Sequence, residues 1–177
     1  MTEQPVWQPS ASQAVLKSRA QQLAYVRGFF AAREVMEVET PVLGRCGVTD
    51  PNLEGIFVDV AAPGHRGGWL QTSPEYHMKR LLAAGSGSVY QVSKVFRNGE
   101  RGRRHNPEFS MLEWYRVGFS DEDLMAEVTE LVCGWLDCPA PRILSYREAM
   151  IRWGHVDPFE ATGRDLMRRC EEWLDAY

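Results

Sequence analysis

The 177-residue chain has no surplus of positive charge. Its 20 Lys and Arg stand against 24 Asp and Glu, a net charge of −4 and a pI of about 5.6. Holding nucleic acid by bulk electrostatics calls for a basic surplus or stripe, so the composition argues against a large RNA footprint, and tRNA is not the expected partner. Zinc-type cysteine spacing is also missing. Cys46, Cys133, Cys138 and Cys170 form no C-x-x-C pair and have no matching His or Cys pair. Residues 1–5 lack the basic start and apolar run of a secretory leader. No stretch approaches the roughly 20 apolar residues of a membrane span. These absences predict a cytoplasmic protein with reduced thiols and no membrane partner. Internal repeats and low-complexity segments are absent too.

What is present suits a folded core: 44% of residues are hydrophobic and 11% aromatic. The length fits one domain, or part of a larger one. Residues 1–9 read as an extended arm. Ser10 and Ser12 are caps for a helix to about Arg33, with Val15, Leu23, Val26, Phe29 and Phe30 near a 3.6-residue period. Residues 36–40 alternate like a strand and stop at Pro41. Strands are predicted at 56–60 and 69–71, with a Gly/Pro turn region between them. Ser73 caps a helix to about Ala84, with Pro74 in its first position and Glu75 in its first turn. Two β-rich runs, 89–97 and 109–117, flank a polar loop and predict a long antiparallel hairpin with a basic tip. Ser120 caps a helix to about Leu136, and further helices are predicted near 146–153 and 163–175. Strands joined by hairpins predict an α+β fold, an antiparallel sheet flanked by helices.

Three segments carry the functional information. Residues 95–100 (Val-Phe-Arg-Asn-Gly-Glu) and 105–115 (His-Asn-Pro-Glu-Phe-Ser-Met-Leu-Glu-Trp-Tyr) resemble motif 2 of class II aminoacyl-tRNA synthetases of the lysyl kind. Residues 72–81 (Thr-Ser-Pro-Glu-Tyr-His-Met-Lys-Arg-Leu) resemble the amino-acid-binding segment of that subfamily. Phe29, Phe30 and residues 37–41 (Glu-Val-Glu-Thr-Pro) resemble motif 1. Three motifs in order are a more specific signal than any one. A finer resemblance is to the elongation factor P lysine ligase branch, on residues 7–12, 48–50, 72–82 and 111–116. A further sign is that no anticodon-binding barrel fits before motif 1.

The chemistry implied by the resemblance explains these residue types. Amino-acid activation joins a carboxylate to the α-phosphate of ATP, so two anions must be held together. Arg97 is the candidate catalytic cation, because a guanidinium grips phosphate and carboxylate oxygens in a fork and stays charged. Ser73, Pro74, Glu75, Glu113 and Tyr115 are the candidate substrate-binding residues. A lysine-type substrate needs carboxylates for its ammonium groups. Glu113 and Tyr115, two apart on a strand, share a face. Arg97, Asn98, Gly99, Glu100, His105, Asn106 and Phe109 are the candidate ATP site, with Phe109 stacking on adenine. Each has a plainer reading: Arg97 as a surface ion pair, Glu75 as a helix first-turn acid, Tyr115 and Phe109 as core aromatics. Arg101, Arg103 and Arg104 read either as an anion-attracting patch or as a solvated tip.

Two departures from the family pattern matter. Motif 2 ordinarily has Glu directly after Phe-Arg-Asn; here Gly99 stands there and Glu100 follows. Either the adenine contact passes to Glu100, or nucleotide affinity or base selectivity falls. Motif 3 is not found. Residues 162–165 (Thr-Gly-Arg-Asp) echo it, but they precede an amphipathic run and read as a helix start. Residues 1–177 are therefore expected to be the N-terminal portion of a class II catalytic domain. The Mg²⁺ ligands would lie in a further C-terminal part, and no metal ligand is assigned here. The expected activity is ATP-dependent activation of lysine or β-lysine and transfer to a lysine of elongation factor P, by a homodimer. The alternatives are part of a lysyl-tRNA synthetase and a non-catalytic module that dimerises or binds a partner.

Overall fold

The structure, a computed structural model, describes residue 7, residues 9–59 and residues 67–175. The predicted arm at 1–9 and turn region at 61–68 fall largely outside the described residues. The chain divides into two compact units, Met1–Leu136 and Asp137–Tyr177.

The first unit holds α1 (Gln13–Ala31), β1 (Met36–Glu37), β2 (Leu43–Gly44), β3 (Ile56–Val58), β4 (Gly68–Leu70), α2 (Glu75–Ala83), β5 (Val89–Phe96), β6 (Glu108–Tyr115) and α3 (Asp121–Leu136). The strands form two three-stranded sheets, in the orders β1-β5-β6 and β2-β4-β3. The predicted hairpin is present, with eight antiparallel pairs from Val89↔Tyr115 to Phe96↔Glu108. The first sheet is mixed, because β1 runs parallel to β5. That pairing joins strands far apart in sequence, which local periodicity does not report. The α+β reading holds.

Alternation along β5 and β6 gives the hairpin two different faces. One face presents Tyr90, Val92, Leu112 and Trp114 to α1 and α3. Phe29, Phe30, Val35, Tyr90 and Leu131 form the buried cluster there. The rings of Phe30 and Tyr90 stack at 4.4 Å. Only the C-terminal half of α1 is used in this way, since Val15 and Leu16 stay exposed. Gly134 in α3 makes room for the approach of α1: a Cβ there would lie 2.4 Å from the Tyr25 hydroxyl. That hydroxyl donates to the carbonyl of Leu131 at 3.1 Å.

A buried carboxylate fastens the same face. Glu127 in α3 is 5% exposed. It accepts from Trp114 Nε1 at 2.9 Å, and Arg116 Nε approaches it at 3.2 Å. Arg33, just past α1, stands 3.9 Å away. Removing one partner of a buried pair leaves the other charge uncompensated. Glu127→Ala is expected to lower unfolding stability by about 3–5 kcal/mol in urea titrations.

At the outer edge, Glu37 of β1 accepts from Arg27 and from the Tyr90 hydroxyl, the latter at 2.9 Å. Arg27, then Tyr90, hold its carboxyl below the usual range. Burial, then Glu37, push the Tyr90 hydroxyl up from 10.0 to about 12. The folded state therefore holds this proton more tightly than the unfolded chain does. The resulting stability is complete below pH 10 and is lost as pH rises through 10 to about 12. Tyr90→Phe is expected to flatten that part of the alkaline stability profile, read from urea midpoints between pH 9 and pH 12.

The second unit contains α4 (Tyr146–Ala149), which runs into one π-helical turn (Met150–Gly154), and α5 (Gly163–Asp175). Ser145 and Glu148 form a reciprocal capping box. Thr162 Oγ1 accepts from the backbone N–H of Asp165, whose carboxylate accepts from Thr162 in return. Residues 162–165 are thus a helix start, as the sequence indicates. No helix among the described residues is long and apolar enough to cross a membrane.

Candidate active site

The other face of the hairpin carries Gln91, Ser93, Val95 and Arg97 on β5 and its extension, opposite Glu113, Met111 and Phe109 on β6. The Arg97 backbone N–H donates to the carbonyl of Pro107 at 2.9 Å, so the ladder continues to the arginine. Arg97 and Glu113 thus stand on one surface. Their strand positions are separated by six residues, roughly 20 Å at a strand's rise.

At the Glu113 end the polar groups form a chain. The Ser73 hydroxyl donates to one carboxylate oxygen at 2.5 Å, and the Tyr115 hydroxyl to the other at 2.8 Å. Ser73 Oγ also accepts from the backbone N–H of Glu75 at 3.2 Å. Ser73 thus makes a local turn bond just before α2 and is not its N-cap, contrary to the sequence reading. The regular helix starts one residue later than the sequence suggests, with Pro74 at the N-cap. The Pro74 side chain is fully buried, and its carbonyl accepts from the N–H groups of His77 and Met78 at 3.1 and 3.0 Å. Burial, then the bond to Glu113, push the Tyr115 hydroxyl well above its usual range, so it stays a proton donor. Glu75 pairs with Lys79 one turn on, and this pair raises the ammonium's proton affinity.

At the other end, the Arg97 guanidinium lies 5.2 Å from the centre of the Phe109 ring. Its Nη1 is 3.9 Å from Glu100, and its Nε is buried without a hydrogen-bond partner. A fixed cation beside an aromatic face, with a donor unused, is chemically suited to an oxyanion. Asn98 is tied to Glu54 twice, through its backbone N–H at 2.8 Å and its side-chain amide at 2.6 Å. His105 and Asn106 lie in the exposed tip with Arg101, Arg103 and Arg104, apart from the Ser73–Glu113 chain.

The segment that follows β4 is tied to β5 through Gln71. The carbonyl of Gln71 accepts from the Phe96 N–H at 2.9 Å, and the Gln71 side chain donates to the carbonyl of Lys94 at 2.8 Å. Three of these neighbours escape a reading of the sequence. Lys79 was visible in principle, four residues after Glu75 on one helix face. Glu54 and Gln71 had no local signal, because they reach the site through long-range pairing.

Gly99 has φ +74. A Cβ there would meet nothing closer than Glu54 at 3.8 Å, so the backbone alone favours glycine. The left-handed turn accounts for a residue other than Glu at this place in this chain. Gly99→Ala is expected to lower stability by about 1–2 kcal/mol, measured by urea unfolding.

Among the described residues, no group of three or more His, Cys, Asp or Glu side chains could hold a metal ion. The family's Mg²⁺ therefore finds no cage of three such side chains among the described residues.

A mixed sheet with a long hairpin, one face packed on helices and the other carrying an arginine and acidic side chains, is consistent with a synthetase-type α+β domain. The family model for class II tRNA synthetases (D, K and N) matches residues 6–142, well over half of the chain, and the chain belongs to that family. The family uses ATP and Mg²⁺ and joins amino acids to acceptors. The match spans the first compact unit almost entirely.

Proposed function

We propose that this chain activates a lysine-type amino acid as its adenylate, and that Arg97 holds the two anions together. The carrying observation is that Arg97 and the Ser73–Glu113–Tyr115 chain share one face of a single rigid hairpin. The substrate's carboxylate oxygen bonds to the α-phosphorus of ATP, the bond to the β-phosphate oxygen breaks, and pyrophosphate leaves. Both reactants are anionic, and the Arg97 guanidinium offsets their repulsion as charge shifts between them. Glu75, Glu113 and the Tyr115 hydroxyl take the ammonium groups of lysine or β-lysine. Ser73 and Pro74 hold that segment in place. Phe109 packs on the adenine. Asn98, Gly99, Glu100, His105 and Asn106 form the rest of the nucleotide site.

In the second step an acceptor lysine amine attacks the acyl carbonyl, its proton departs, and AMP leaves. Resemblance to the elongation factor P ligase branch, at residues 48–50, 72–82 and 111–116, supports elongation factor P as the acceptor. The acidic balance of the chain supports a protein acceptor over tRNA and fits a cytoplasmic setting. Exposed Met36, Val42 and Leu43, on and just after the motif 1 segment, support a homodimer. Residues 1–177 are, in this reading, the N-terminal portion of the catalytic domain.

ATP–pyrophosphate exchange is the test. The chain is expected to support exchange with lysine or β-lysine, and Arg97→Ala is expected to lower it by roughly 10²–10³-fold. A folded chain with no exchange would instead support a binding module. Label passing to elongation factor P rather than to tRNA supports the acceptor assignment; the reverse supports a lysyl-tRNA synthetase.

A further inference from the structure

Glu54 lies outside the three motifs, just before β3, yet it is held from two sides. Next to it, Gly55 packs on the indole of Trp69: a Cβ there would stand 3.2 Å from the ring atom Cε3. On the other side, Asn98 donates its backbone N–H to the Glu54 carbonyl at 2.8 Å and its side-chain amide to Glu54 Oε1 at 2.6 Å. The N–H of Arg97 goes to Pro107 and that of Asn98 to Glu54, so Glu54 flanks this segment on the edge away from β6.

The second carboxylate oxygen, Oε2, has no partner among the described residues, and Glu54 is exposed to solvent. Oε2 stands 3.8 Å from the point where a Cβ on Gly99 would sit. The carboxylate oxygens of a glutamate lie about this far from their own Cβ. Glu54 thus brings an acid to the place that Gly99 leaves bare. The bonds to Asn98 hold it there, which a freely solvated surface acid lacks.

An ionised carboxylate accepts hydrogen bonds and donates none. The phosphates of ATP offer it no donor and repel it. The donors of ATP are the exocyclic amine of adenine and the ribose hydroxyls. The amine lies on the flat edge of the base, and a residue without a side chain lets such an edge come close to the backbone. We infer that Glu54 Oε2 accepts from the exocyclic amine of adenine, which makes Glu54 a base-selecting residue of the nucleotide site. The inference rests on the proposed nucleotide site between Arg97 and Phe109. Arg97 and Glu54 then divide the nucleotide between them, the cation taking its anionic end and the acid its amine.

The test is calorimetric titration of the full chain with ATP, with purine riboside triphosphate, which lacks the amine, and with 2′-deoxy-ATP and 3′-deoxy-ATP, which each lack one ribose hydroxyl. Glu54→Gln keeps the shape of the side chain and the oxygen that takes the Asn98 amide N–H, so an NH₂ group replaces Oε2. The unaltered chain is expected to bind ATP roughly tenfold more tightly than purine riboside triphosphate, the worth of one charge-assisted hydrogen bond. Glu54→Gln is expected to erase that difference by weakening ATP and both deoxy nucleotides alone. Equal weakening of ATP and purine riboside triphosphate would show that Glu54 only props Asn98, and would overturn the inference. Unchanged ATP binding, or a loss that vanishes with either deoxy nucleotide, would overturn it too. Each of these results leaves the activation reading intact, whereas absence of ATP binding by the unaltered chain overturns both.

Discussion

The eight-pair ladder between β5 and β6 constrains everything else in the first unit, because it assigns opposite duties to adjacent residues. Tyr90, Val92, Leu112 and Trp114 look toward α1 and α3, while Gln91, Val95, Phe109 and Glu113 look the other way. A slip of one residue in register would exchange the two sets. It would send Glu113 into the aromatic cluster and Trp114 into the polar groove. Burial of Phe30 against Tyr90 therefore fixes where the acid and the guanidinium stand, although neither touches that cluster.

The buried Glu127 adds a directional element to this otherwise apolar contact. Apolar packing tolerates small sliding, whereas a carboxylate accepting from Trp114 and facing Arg116 has few satisfactory positions. It joins α3 to the end of the same strand that carries Glu113 and Tyr115. The supporting face and the groove face are thus linked through consecutive residues: Trp114 and Arg116 point back to the helices, while Glu113 and Tyr115 point to the groove.

Much of this was legible in the sequence, for local reasons. The hairpin announced itself by two β-rich runs around a Gly-containing polar loop. The helix starts at Ser12, Ser120, Ser145 and Thr162 all involve short side chains whose oxygens reach nearby backbone. Motif spacing brought Arg97, Glu75 and Glu113 to notice. What local reasoning could not reach was pairing across long separations. The parallel partnership of β1 with β5, the bonds of Gln71 to Phe96 and Lys94, and the hold of Glu54 on Asn98 join segments with no shared periodicity. The long α1 illustrates the opposite error. Its apolar positions follow a helical period, yet Val15 and Leu16 stay exposed while the half ending at Phe30 meets the sheet.

The double attachment of Asn98 to Glu54 gives the segment before β3 a role out of proportion to its length. Arg97 is followed at once by a residue whose main chain and amide are both gripped from that segment. The polar return from 98 to 106 is thereby anchored at its root while its arginines stay in water. Replacing those exposed arginines would therefore leave the root beside Arg97 in place.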